Sequence, residues 1–259
     1  MTYGGFSTCP EVRGPQLEPN TILDTGHWTL FYLFHVKHSD SPQQISQFNK
    51  ICSSFGINLS NEMIKKFQDY ATLLLDWNKR IHLVSKRDAS TDRIIRHFVD
   101  SLSIFRVVDL PNGINILDIG TGAGFPAVPI KIVREDLGVT LMESIHKKAL
   151  FLQKLCEILR LQNTSILNQR AEKLLEERSL GGEFDIVTAK GLGGLENIVP
   201  LGMPFLKKAG LLIAYKGRGV EKEIGETNLP KECQIKDVAK IEIPEIDLLR
   251  WLIVIEKVK

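Results

Sequence analysis

The stretch Asn115-Ile116-Leu117-Asp118-Ile119-Gly120-Thr121-Gly122-Ala123-Gly124-Phe125 decides the fold. A short apolar run reaches Asp118 and then enters a loop with three alternating glycines. Glycine lets a backbone turn sharply and lets a ligand come close to it. An apolar strand feeding such a loop, with a helix beyond, is how α/β proteins build a nucleotide site. The spacing is G-x-G-x-G and not the G-x-G-x-x-G of dinucleotide binders, which turns the reading away from a diphosphate-containing cofactor. Pro126 and Pro129 follow where the first turn of a helix tolerates proline.

Outward from the loop, apolar strand patterns alternate with helical ones. Strands are expected over 115–119, 139–143, 164–168, 184–189 and 210–216, and helices over 127–134, 147–160, 171–178 and 195–206. Two further apolar runs, 236–243 and 249–256, have no helix between them and are expected to pair antiparallel. Five β-α units ending in a hairpin predict an α/β fold of the class I methyltransferase type: Rossmann-like, mostly parallel, closed by an antiparallel hairpin. Upstream, Met63, Ile64, Phe67, Ala71, Leu74 and Leu75 repeat at helical spacing over 60–79. A second amphipathic helix covers 91–107, with Ile94, Ile95, Phe98, Leu102 and Phe105 on one side and Arg93, Arg96, His97 and Asp100 opposite. The expected organisation is a poorly ordered extension over 1–40, a helical region over 41–110 and a Rossmann-like domain over 111–259.

The bulk properties agree. The chain has 259 residues with 43% hydrophobic, enough for a sizeable core. Its net charge of +2 allows a polyanionic partner without requiring one. The four cysteines are scattered, with no C-x-x-C pair, which points to a reducing cytosol and away from a disulfide framework or zinc site. No metal-ligand spacing occurs. No apolar run is long enough to span a bilayer, and no membrane partner is expected. Residues 28–34 resemble a signal-peptide core, but the segment before them carries the wrong charge for one.

Several residues are placed to carry chemistry. Asp118, Gly120, Gly122 and Gly124 are candidates to hold a cofactor with a carboxylate and an ammonium, as S-adenosylmethionine has. Glu143 ends the second strand, where a carboxylate accepts hydrogen bonds from a ribose diol. Ala171 and Glu172 open the helix after the third strand, beside an adenine in a nucleotide site; an acid there equally complements the helix dipole. Lys190 ends the fourth strand, where open α/β sheets meet their substrates. Arg93, Arg96, His97, Lys147, Lys148, Lys216 and Arg218 are candidates for a cationic rim that would attract phosphates, although any one of them alone reads as a solvated side chain.

Beyond these readings, the chain from about Phe34 to its end resembles the RsmG family, formerly called glucose-inhibited division protein B. The matching segments are Trp77-Asn78-Lys79-Arg80-Ile81, Arg96-His97-Phe98-Val99-Asp100-Ser101-Leu102, Leu117–Pro126, Glu143-Ser144 with Lys147-Lys148, Arg170-Ala171-Glu172 and Lys216-Gly217, together with Phe34-His35-Val36-Lys37. The resemblance implies a cytoplasmic, S-adenosylmethionine-dependent methyltransferase acting on guanine N7 of 16S ribosomal RNA, at guanine 527, with the RNA or the small ribosomal subunit as partner and a monomer as the working form. It also implies cofactor contacts at Gly120, Phe125, Ala171 and Glu172, and a positioning role, with cofactor contact, at Lys190. The chain departs from the family at Lys190, where arginine is usual; lysine keeps the charge and loses the bidentate fork. Two rival readings are an NAD(P)-dependent oxidoreductase, opposed by the loop spacing and the hairpin, and a non-catalytic RNA-binding module, opposed by the intact loop with Glu143 and Glu172.

Overall fold

The computed structural model describes residues 42–176 and 181–258. The extension expected over 1–40 and the last residues of the helix expected over 171–178 lie outside them. Strands β1 (Asn115–Ile119), β2 (Gly138–Met142), β3 (Thr164–Leu167), β4 (Phe184–Lys190), β5 (Leu206–Lys216), β6 (Cys233–Ile243) and β7 (Leu248–Lys257) form one sheet. Its order is β3-β2-β1-β4-β5-β7-β6. The first five strands are mutually parallel, and β7 runs antiparallel to both β5 and β6. The strand order therefore reverses between β1 and β4, whose carboxyl ends lie side by side. That is the place where open sheets of this kind bind ligands.

Helices α4 (Ala127–Val133), α5 (His146–Leu159), α6 (Ala171–Glu176), α7 (Leu195–Gly202) and α8 (Val220–Glu226) connect the strands, and α1 (Pro42–Ser54), α2 (Asn61–Asn78) and α3 (Thr91–Leu102) precede them. Ser60 caps α2 by accepting the Met63 amide at 3.1 Å. Past the end of α2, the Asn78 side-chain oxygen accepts the Leu83 and Val84 amides at 2.8 and 3.0 Å and fixes the exit toward α3. On one face of the sheet, Leu117, Val187 and Leu212 pack with Leu195, Val199 and Phe205. Toward α4 and α5 the sheet's connecting helices receive α2 and α3. Rings carry that packing: Phe48 of α1 lies 5.0 Å from Phe67, Phe67 lies 4.9 Å from Phe98, and Phe98 lies 5.1 Å from Tyr70. Among the described residues no helix is long and apolar enough to cross a membrane, and no acidic, histidine and cysteine side chains group to hold a metal ion.

Three details differ from the sequence expectations. Helix α1 is not marked by the sequence, because it is polar apart from Ile45, Phe48, Ile51 and Cys52, of which it buries the last three; packing, and not propensity, decides such a helix. The expected helix to residue 206 ends at Gly202, a tight turn covers Met203–Phe205, and β5 starts at Leu206 instead of 210. Exposed Lys207 and Lys208, a positive φ of 62° at Ala209 and a register shift opposite Phe184/Ile186 disguise the start of that strand. Finally, α3 does not turn Asp100 to solvent with Arg93 and Arg96. Asp100 is only 1% exposed, because the helix is covered on that side by the sheet's last strand.

Asp118 ties the switch point together. It is paired in register with Thr188 across β1 and β4, and the Thr188 hydroxyl donates to its carboxylate at 2.7 Å. The Ala127 amide approaches its other oxygen at 3.5 Å. Asp118 was a candidate cofactor ligand, but it is fully buried and both oxygens serve the fold. Burial pushes its carboxyl from the ordinary 3.8 to about 7, against the opposing hydrogen bonds. Between these two values the folded chain keeps a proton that the unfolded chain has released, so this group's contribution to stability is full in acid and is lost as pH rises through about 7. The variant Asp118→Asn, which keeps an acceptor for Thr188, is expected to gain melting temperature relative to the parent as pH rises from about 4 to about 7. A difference independent of pH would show that Asp118 does not titrate in that window.

Candidate active site

The glycine loop leaves β1 and immediately shapes its surroundings. Gly120, Gly122 and Gly124 have φ values of 62°, 60° and 98°, which L side chains rarely adopt. The three glycines nevertheless do different things. A Cβ on Gly124 would lie 2.7 Å from the Tyr70 hydroxyl, so this glycine permits close packing against α2. A Cβ on Gly120 would strike the Leu192 side chain at 2.4 Å. A Cβ on Gly122 would meet only the Gly120 carbonyl, at 3.8 Å, and otherwise face open space.

The loop's amides are largely engaged within the protein. Thr121 donates to the Met142 carbonyl at 3.0 Å, and Gly124 and Phe125 donate to the Thr121 carbonyl at 2.8 and 3.1 Å. Gly122 donates to the Glu143 carboxylate at 3.0 Å, and Ile145 donates to its other oxygen at 2.8 Å. Glu143 therefore joins the end of β2 to the loop, and it is 5% exposed. Asn168, after β3, holds the Glu143 carbonyl at 2.8 Å.

Beside the loop, at the carboxyl ends of β1 and β2, a cleft of about 190 Å³ is lined by Gly120, Met142, Ser144, Arg170, Ala171, Glu172 and Leu192 among others. The structure thus brings Gly120, Ala171 and Glu172 to one cavity, whereas Gly122 and Glu143, joined to each other by their hydrogen bond, do not line it. Ala171 is buried and Glu172 is exposed. Phe125 does not line this cleft. It is buried in an aromatic group: Tyr70 stacks on it at 5.6 Å and 25°, and His97 at 5.1 Å and 20°.

The same ring carries Lys190, whose Nζ lies 5.2 Å from the Phe125 centroid and 5.8 Å from that of Tyr215. The Lys190 ammonium meets Asp100 at 2.8 Å. Arg250 takes both oxygens of the same carboxylate, Nε and Nη2 each at 2.7 Å. Tyr215 donates its hydroxyl to the Ser101 carbonyl at 2.8 Å, which anchors α3 on β5. Burial opposes the Asp100 charge, yet its two cations hold the carboxyl below the ordinary range. Burial lowers the Lys190 ammonium, and Asp100 pulls the other way. Burial, with the Lys190 charge nearby, takes His97 down to about 4. His97 is therefore neutral near pH 7 and adds a flat ring, not a cation, to this region.

The cationic rim expected from sequence is only partly assembled. Lys147 and Arg218 are exposed, and Lys148 and Arg93 half-buried. Lys216 is not a free cation: its ammonium bonds Glu223 and the Gly193 carbonyl, each at 2.6 Å, and so fastens α8 and the loop after β4 to the end of β5. Arg96 is likewise engaged, by the backbone carbonyl and carboxylate of Asp247. These side chains are charged, but neighbours far away in sequence already hold them. Conversely, sequence reasoning missed Arg250, Tyr70 and Tyr215, and it misplaced Asp100. Arg250 had a signal: it is a lone charge inside the apolar run Leu248–Ile255. The two tyrosines had none, because nothing local separates them from core aromatics.

Comparison with known proteins places this geometry. The GidB family, described as rRNA small subunit methyltransferase G, matches residues 63–250. Ribosomal RNA small subunit methyltransferase G of Caldanaerobacter subterraneus subsp. tengcongensis is 37% identical over 208 residues, covering 80% of this chain and 87% of its own. The protein of that name from Lachnoclostridium phytofermentans is 34% identical over 217 residues, covering 83% of this chain and 89% of its own. Among solved structures, a mutant of MtNAS in complex with S-adenosylmethionine superposes with a TM-score of 0.51 at 13% identity, covering 85% of this chain and 81% of its own. TrmN from Thermus thermophilus gives 0.50 at 18% identity, covering 62% and 49%. Those two likenesses show the shared fold. The sequence match over most of the chain shows more: this protein belongs to the rRNA small subunit methyltransferase G family.

Proposed function

We propose that the chain methylates N7 of a guanine in 16S ribosomal RNA, guanine 527 as the resemblance implies, working in the cytoplasm as a monomer on the RNA or the small subunit. Family membership makes it an S-adenosylmethionine-dependent ribosomal RNA methyltransferase. The observation that carries the finer reading is the adjacency, at the carboxyl ends of β1 and β4, of the cleft lined by Gly120, Ala171 and Glu172 and a net-positive cluster built from Lys190, Arg250 and Asp100.

The residues present fit the cofactor. The open space above Gly122 and the apolar walls of Met142 and Leu192 suit a nucleoside. The Glu143 carboxylate keeps lone pairs for a ribose diol beyond the two amides it accepts. Ala171 and Glu172 stand where a base edge would be read. S-adenosylmethionine supplies an electrophilic methyl group on a sulfonium. Guanine N7 carries a lone pair and no proton, so no side chain has to act as a base, and none is assigned that role. The chain's task is alignment.

Lys190 and Arg250 place positive charge beside the path of an incoming polyanion. Lys147 and Lys148 occupy the first turn of α5, with no acid among the first residues. Cations at a helix amino end oppose the dipole, an arrangement that a bound phosphate would offset. Arg170 and Arg218 are exposed near the same edge. Guanine N7 is blocked in the deep groove of an A-form helix, so the target guanine is expected in a loop or turned out of its stack.

Two measurements test this reading. Glu143→Gln is expected to weaken S-adenosylmethionine binding by calorimetry roughly tenfold, about 1.4 kcal/mol; unchanged affinity would remove Glu143 from the cofactor site. Lys190→Ala is expected to lower methyl transfer to 16S RNA at least about tenfold. Its melting temperature should stay near the parent's, because Arg250 still closes both oxygens of Asp100. Equal turnover would reduce Lys190 to a packing residue.

A further inference from the structure

We propose that Asp100 is the positioning residue of this site: clamped by Arg250, its carboxylate holds the Lys190 ammonium at the carboxyl end of β4 and supplies the counter-charge that keeps it there for the substrate. The inference rests on the methyl-transfer reading above.

The geometry is specific. Asp100 comes from α3, Lys190 from β4 and Arg250 from β7, so three distant segments meet at one carboxylate. Arg250 alone satisfies both oxygens through two parallel N–H bonds. Lys190 is surplus to that pair. Its Nζ is buried and meets Asp100 at 2.8 Å, one acceptor for the whole ammonium. An ammonium has three donors, and burying them without acceptors is costly. A cluster formed only to join α3 to the sheet would be neutral. This one holds two cations on one anion, and its excess charge and unused donors both belong to Lys190. The groups facing Lys190 are Asp100 and the neutral His97 from α3, Asp118 from β1, Phe125 from the glycine loop, Tyr215 from β5 and Arg250 from β7. Of the acids, Asp100 is the one in contact. Burial and Arg250 both favour loss of the lysine proton, and Asp100 opposes them.

The test uses the full chain as wild type, Asp100→Asn and Arg250→Met, with isotope-labelled lysine side chains followed by NMR across pH and Lys190 assigned by its absence in Lys190→Arg. Titration of Lys190 is expected to move to lower pH in Asp100→Asn and to higher pH in Arg250→Met. Methyl transfer to 16S RNA by Asp100→Asn is expected to fall roughly tenfold between neutrality and about pH 9, a limb the wild type lacks. Adding Lys190→Arg to Asp100→Asn should abolish that limb, because a guanidinium stays charged. An identical Lys190 titration in wild type and both variants would overturn the proposal, as would a limb that survives in the double variant. If Asp100→Asn does not fold, Arg250→Met decides alone: an upward move supports the proposal and no move overturns it. Absence of methyl transfer by the wild type would instead sink the functional reading, while the NMR titrations still report whether Asp100 governs Lys190.

Discussion

The carboxyl edge of this sheet is governed by the need to give every buried amide of the glycine loop a partner. A loop with three positive-φ glycines between a buried strand and a buried helix has little water to fall back on. Its donors go to the Met142 carbonyl, the Glu143 carboxylate and the Thr121 carbonyl. Asp118, beneath, receives Thr188 and approaches Ala127. Each partner belongs to a different segment, so the loop's shape, the end of β2 and the start of α4 are set together. The glycines contribute conformation more than donors. Gly124 lets Tyr70 approach, and Gly122 faces open space.

The loop also explains why the helical region belongs to the site. Phe125 is 8% exposed and stacked by Tyr70 from α2 and His97 from α3. Tyr70 donates to the Ala123 carbonyl. Movement of α2 or α3 would therefore disturb the loop directly. Helix α3 also delivers Asp100 to the end of β4. The aromatic packing supplies the low-polarity surroundings in which the charges of Asp100, Lys190 and Arg250 act strongly on one another.

A buried ion cluster is weak evidence for stability, since desolvation offsets much of the attraction. Its value here is directional. Arg250 fixes the carboxylate in two bonds, and the carboxylate in turn places a lysine whose own side chain is flexible. Lysine at position 190 lacks the fork that would hold itself in place, which makes its anchor matter more.

Much of the fold was legible in sequence because its signals are local. The run ending in Asp118, the alternating glycines, the helical spacing of Phe67 and Leu74 and the apolar run at 249–256 each reflect the residues' own geometry and hydrophobicity. The irregular start of β5 was hidden by Lys207, Lys208 and the turn at Ala209, since a kinked edge lacks the alternation that marks a strand. The positions of Gly122, Glu143 and Lys190 at or just beyond the carboxyl ends of strands were legible, because strand direction alone sets them. Only the tertiary structure could decide which charges are available. Lys216 and Lys147 look alike in sequence, but Glu223 engages one and the other is exposed; Asp100 looks like a surface acid, but Arg250 and Lys190 surround it. The physical reason is that periodicity records which side of an element a residue occupies, whereas the state of a charge depends on neighbours that long-range packing brings within a few ångströms.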